Sequence, residues 1–228
     1  MNPVHHFLFG IYPYIALAVF LIGSLIRFDR EQYSWKSDSS QLLRRGQLRL
    51  GNNLFHIGVL ALFFGHLIGL LMPKEMYHAL GLTTEAKQML AIVAGAIFGV
   101  TAFVGLVILV HRRLMEPRIR ATSTRMDIFI LLWILATLTV GLVTIPFSLA
   151  HRDGAVMVAL AYWAQHIVTF RGGAAELILG VAPIYKVHLF FGMTMFLLFP
   201  FSRLVHVWSG FGSLAYLKRP YQIVRSKG

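Results

Sequence analysis

At 228 residues, with 57% apolar and only 13% charged side chains and a mean hydropathy of +0.69, the chain is excluded as an ordinary soluble domain, which carries about 25% charged residues. It is read as an integral membrane protein. The absence of cysteine excludes a disulfide scaffold, thiolate-held iron–sulfur clusters, the CxxCH attachment of c-type haem and Cys-bound zinc. The net charge of +12 comes from 21 Lys+Arg against 9 Asp+Glu. Those basic residues lie between apolar runs, so the excess reads as membrane topology and no nucleic acid partner is expected.

A bilayer core about 30 Å thick takes roughly 20 apolar residues per helix. Five runs qualify: residues 7–26, 54–72, 89–110, 128–150 and 187–208. The expected fold class is all-α, an integral membrane bundle of five transmembrane helices. The first run follows MNPVHH, which has no basic n-region, and no small-residue cleavage site comes after it. It is expected to stay as a helix and not to be removed as a signal peptide. Neither an internal repeat nor a soluble-domain linker interrupts the pattern. Residues 1–228 are therefore read as a single transmembrane domain, with 209–228 a cytoplasmic C-terminal tail.

Orientation follows from the Lys/Arg bias of the connections. The first and third connections and the tail carry sixteen Lys and Arg; the other side carries five, namely Lys74, Lys87, Arg152, Arg171 and Lys186. The richer side is expected to be cytoplasmic, with the N-terminus outside and the C-terminus inside.

Ionisable groups at membrane depth are costly and mark function. All nine acids lie outside the runs or at an edge, which argues against a proton pump or cation transporter. The histidines behave differently. His5, His6, His78, His111, His151 and His166 fall in connections or at helix ends and read as solvated or interfacial. His56 and His66 lie in the second run, His188 and His206 in the fifth. A lone intramembrane histidine is an interhelical hydrogen-bonding group. Two on each of two helices point instead to iron ligation by neutral imidazole in a chain without cysteine.

Depth then pairs them. The second helix runs outward, so His56 is near the inner face and His66 deeper toward the outer half. The fifth runs inward, so His188 is outer and His206 inner. Matching depths gives His66 with His188 and His56 with His206, each pair able to hold one haem iron from both sides. One mismatch remains. His188 and His206 are 18 residues apart, about 27 Å on one helix face, whereas His56 and His66 span about 15 Å. Tilt, a bend at Pro200 or differing haem planes must absorb the difference of about 12 Å. Gly58, Gly65, Gly69 and Gly192 sit beside the histidines in helical space, either to admit a porphyrin or for ordinary helix packing. A bis-histidine haem keeps no open iron position and carries electrons.

The chain closely resembles the gamma subunits of respiratory membrane-bound nitrate reductases, which are dihaem cytochromes b. The segments carrying the resemblance are FGIYPYIALAVFLIGSLIRFD, GNNLFHIGVL, FFGHLIGLLMP, KQML, RRLMEPRIRATSTRMDI, GLVTIPFS, VTFRGGAAEL, VHLFFGMTMFLLFPFSRLVHVW and KRPYQIVR. They span nearly the whole chain and place all four histidines at that family's haem-ligand positions. The resemblance implies two haems b, with His66/His188 on the distal haem near the outside and His56/His206 on the proximal haem near the cytoplasm. It implies menaquinol or ubiquinol as substrate, oxidised near the distal haem. Electrons would leave through an iron–sulfur beta subunit to a molybdenum-cofactor alpha subunit that reduces nitrate. The setting is a bacterial or archaeal cytoplasmic membrane, and the tail from Ser209 is expected to dock on the partners.

Lys87 opens the third run level with the distal pair. The residues alone favour a snorkelling interfacial lysine; the resemblance reverses this and implies a quinone contact. Arg203, three before His206, could pair with a haem propionate. Arg112 and Arg113 could do the same or serve as positive-inside anchors. Gly65 is the glycine expected against a haem. Two other functions fit less well: a related dihaem cytochrome b of a sulfur- or disulfide-reducing complex, and a non-redox channel lined by histidines.

Overall fold

The computed structural model describes residues 2–30 and 45–208. Those residues form helices and turns, with no strand among them. Five helices are long and apolar enough to cross a membrane. In chain order the elements are α1 (Pro3–Arg30), α2 (Arg45–Leu71), the short α3 (Lys74–Ala79), α4 (Thr84–Met115), the short α5 (Pro117–Ala121), α6 (Arg125–Ala150), α7 (Ala155–Val168) and α8 (Pro183–Phe201). The five spanning helices α1, α2, α4, α6 and α8 each overlap one of the five apolar runs. Residues 31–44 and the tail at 209–228 lie outside the described residues.

The helices start and stop where side chains can take up loose backbone groups. Thr83 caps α4 by accepting from the Ala86 N–H at 3.2 Å. Thr124 and Asp127 form a capping box at the start of α6. At membrane depth a free carbonyl is costly because no water can satisfy it. Gln165 Nε2 therefore reaches the Leu70 and Met72 carbonyls at the end of α2 (3.1 and 3.4 Å). Gln88 Nε2 likewise serves Ser148 and His151 at the end of α6 (3.1 and 2.7 Å). The first turns of α1 widen into a π-helix over Phe7–Ile11, and Trp163 Nε1 donates to the Phe9 carbonyl there at 2.9 Å.

Many large apolar side chains of α2 and α4 point outward, among them Ile57, Leu60, Phe64, Ile68, Leu90 and Ile97. That is the surface of a protein solvated by lipid. Burial concentrates at the end that carries α7, where Phe9, Trp163, Ile167, Ile178 and Tyr185 form one core. A second, smaller core of Leu106, Ile130 and Ile134 joins α4 to α6. Helices α2 and α4 touch through glycines. A Cβ on Gly58 would lie 2.5 Å from the Ala102 N and 2.6 Å from the Phe98 O, and one on Gly105 would strike the Phe55 backbone. Gly58 is thus helix-packing glue.

Two expectations need correction. The connection 151–186, with His166 in it, is not simply a loop: it holds α7, whose 14 residues rise only about 21 Å and do not span the bilayer. The fifth helix does not run to residue 208. It narrows to a 3-10 turn at Phe199–Phe201, passes through an extended Ser202 (φ −121, ψ 176) and resumes as a 3-10 turn at Arg203–Val205. Pro200 cannot donate to the helical ladder, which locates the break.

Candidate cofactor site

His56 and His66 stand on α2, ten residues apart, about 15 Å along an unbroken helix. The ring of His66 faces that of His188 with centroids 6.1 Å apart and planes at 52°. The ring of His56 faces that of His206 at 6.3 Å and 69°. The structure therefore brings together the same pairs that depth suggested. Continuity of the fifth helix to His206, and with it the five-turn, same-face relation to His188, does not hold. Past the break at Pro200–Ser202, His206 stands level with His56.

Three of the four rings are held by their own backbone. His66 Nδ1 bonds the Leu62 carbonyl at 2.7 Å, His56 Nδ1 that of Asn52 at 2.9 Å and His206 Nδ1 that of Arg203 at 2.6 Å. With Nδ1–H donating, Nε2 keeps its lone pair, the arrangement usual for a metal-binding imidazole. His188 lacks such a bond; its Nδ1 is buried against the backbone of Thr137. Its space is set by Gly141 of α6, where a Cβ would come within 2.8 Å of the His188 Cε1. Sequence reasoning missed Gly141. Its only signal was a glycine amid the branched and bulky residues of 138–144.

A haem fits this donor set. Metal–nitrogen bonds of about 2.0–2.1 Å, with the ring radius on either side, put two axial imidazole centres about 6 Å apart. Gly65, Gly69 and Gly192 each leave open space, with nothing within 4 Å of an added Cβ, so the flanks of the histidines are clear for a flat macrocycle. Among the described residues no group of three or more His, Asp or Glu gathers as a metal site; axial ligation needs only two imidazoles.

The remaining site residues separate by environment. Lys87, on the first turn of α4, is 7% exposed. It donates Nζ to the Gly69 carbonyl at 3.0 Å and lies 4.1 Å over the Tyr77 ring. It is therefore turned inward beside the His66 turn and does not snorkel. Arg112 and Arg113 are both buried. Arg113 Nη1 donates to Ser123 Oγ at 2.7 Å and lies 3.9 Å from Asp127 Oδ2. Arg203 Nε is 3.0 Å from Asp127 Oδ1. Arg113 and Arg203 thus share a carboxylate of the chain itself.

Comparison with known proteins agrees in length and extent. A sequence model of the nitrate reductase gamma subunit matches residues 5–227. The chain is 52% identical over 227 residues to the respiratory nitrate reductase 1 gamma chain of Escherichia coli K12, covering 100% of both. It is 51% identical to the nitrate reductase 2 gamma chain of the same organism, covering 97% of this chain and 96% of that one. The nitrate reductase gamma chain of Bacillus subtilis 168 is 38% identical, with 96% and 97% covered. Five apolar spanning helices and these bacterial relatives make it a multi-pass protein of the cytoplasmic membrane. With the family model matching almost the entire chain, this protein belongs to the nitrate reductase gamma subunit family.

Proposed function

We propose that this chain is the quinol-oxidising dihaem cytochrome b subunit of a respiratory nitrate reductase. The observation that carries the reading is the two facing imidazole pairs, at 6.1 and 6.3 Å, one near the middle of α2 and one near its C-terminal end. His66 and His188 would hold the distal haem; His56 and His206 would hold the proximal one. Haems held this way supply one-electron carriers with no open coordination position. Gly65 leaves the flank of His66 clear. The Lys/Arg distribution puts the His66 end outside and the His56 end in the cytoplasm.

Lys87 is the residue placed to receive quinol. Its ammonium has three donors. One goes to Gly69, the Tyr77 ring takes the charge from one face, and a donor remains for a quinol oxygen beside the His66 turn. Menaquinol or ubiquinol loses two protons to the outer side and two electrons to the His66/His188 end. The electrons cross to the His56/His206 end and leave to a cytoplasmic iron–sulfur beta subunit and then a molybdenum-cofactor alpha subunit. Charge separation then comes from electrons crossing the bilayer, and each charge moved through 100 mV is worth about 2.3 kcal/mol. A proton channel is not needed, in keeping with the edge positions of the acids. The tail at 209–228 docks on the partners.

The test is a dithionite-reduced minus oxidised spectrum of the complex purified through this chain, with metal analysis of the subunits that copurify. Two b-type haems per chain and a molybdenum partner are expected. A chain without haem would refute the reading. Cluster-only partners would assign the chain to another reductase.

A further inference from the structure

We propose that Arg27, at the end of α1, is a positioning residue for His206. The proposal rests on the haem reading above. Positive-inside anchoring accounts for an arginine that reaches toward headgroups, but Arg27 turns into the bundle. Its Nη1 donates to the Pro200 carbonyl at 2.7 Å and the Ser202 carbonyl at 2.9 Å. Both carbonyls flank the break, Pro200 in the last turn before it and Ser202 as the cap of the turn after it, where a weakened helical ladder is costly away from water. One turn earlier on the same face of α1, Gly23 makes room for the Pro200 ring, since a Cβ there would lie 2.8 Å from the proline Cγ. The break is therefore received by α1, with shape from Gly23 and hydrogen bonds from Arg27.

The other side of the break is held from α6. Asp127 Oδ1 lies 3.0 Å from Arg203 Nε, and Asp127 is itself fixed by the capping box with Thr124. The Arg203 carbonyl accepts from His206 Nδ1 at 2.6 Å, so whatever fixes Arg203 fixes the imidazole. Arg27 sets where the new turn begins and Asp127 sets how it is rotated. Together they decide how the His206 ring meets His56. Outer-shell groups of this kind orient a ligand and tune its metal. The His66/His188 pair is centred ten residues further along α2, about 15 Å away.

The experiment uses the full-length chain assembled with its partner subunits. It reads haem content and the two low-spin electron paramagnetic resonance signals, the proximal one assigned as that lost in His56→Ala. Arg27→Gln should shift or abolish the proximal signal, with haem falling from two per chain toward one, and leave the distal signal in place. Arg27→Lys should move the same signal less, and Asp127→Asn should move it from the other side. Two unchanged signals in Arg27→Gln, or equal disturbance of both, would overturn the proposal. Should Arg27→Gln fail to assemble, Arg27→Lys decides: a change confined to the proximal signal supports the assignment, and no change or a change in both overturns it. A wild-type complex without two bis-histidine signals would instead defeat the haem reading.

Discussion

Gly141→Ala isolates one contact of the distal pair. The new Cβ would sit 2.8 Å from the His188 Cε1, 3.3 Å from Nε2 and 3.4 Å from Nδ1. Carbon atoms rest at about 3.5–4.0 Å, so ring or helix must retreat by roughly 0.7–1.2 Å. Overpacking of this size costs about 1–3 kcal/mol. Helix propensity acts the other way, since Ala is better than Gly by about 1 kcal/mol in a helix interior. A purely local helix effect would therefore stabilise the variant. The crowding effect instead acts on His188, opening or tilting the pair that now stands at 6.1 Å. The assay is the redox titration and low-spin resonance spectrum of the assembled complex. The distal signal should move or lose intensity while the proximal one stays, and Gly141→Ser should do the same. If the distal signal is unaltered, or the complex melts higher with both signals intact, Gly141 does not set the His188 position.

The other predictions concern the roles assigned to the pairs and to Lys87. His66→Ala or His188→Ala should remove the distal haem alone, and His56→Ala or His206→Ala the proximal alone. Difference spectra read this directly, and joint loss of one haem in His56 and His188 variants would break the pairing. Lys87→Ala should slow quinol oxidation at least tenfold, the loss of about 1.4 kcal/mol or more for a hydrogen bond from a charged group, with both haems still reduced by dithionite. Unchanged quinol kinetics would remove Lys87 from the site. In vesicles of known orientation, quinol oxidation should release its protons on the side of His66 and Lys87. A donor that reaches the partner subunits directly should still drive nitrate reduction in His66→Ala; release on the opposite side would reverse the topology.

The sequence by itself determined the solvent of this protein and the number of its crossings. Twenty apolar residues bridge a bilayer whatever they pack against, so α1, α2, α4, α6 and α8 were legible from composition alone. It also singled out His56, His66, His188 and His206, because a polar ring at membrane depth stands out against its neighbours. Only the tertiary structure decided what each glycine does. Gly58 packs α2 onto α4, Gly65 faces open space and Gly141 receives a ring, yet all three look alike along the chain. A missing side chain has meaning only through what approaches it. The same holds for Arg27 and Gln88, which resemble ordinary interfacial polar residues until their carbonyl partners, 173 and 60 or more positions away, are known. The break at Pro200–Ser202 completes the contrast. Proline marks a weak point in the helix, but the direction the chain takes past it is set by Gly23, Arg27 and Asp127, contributed by two other helices.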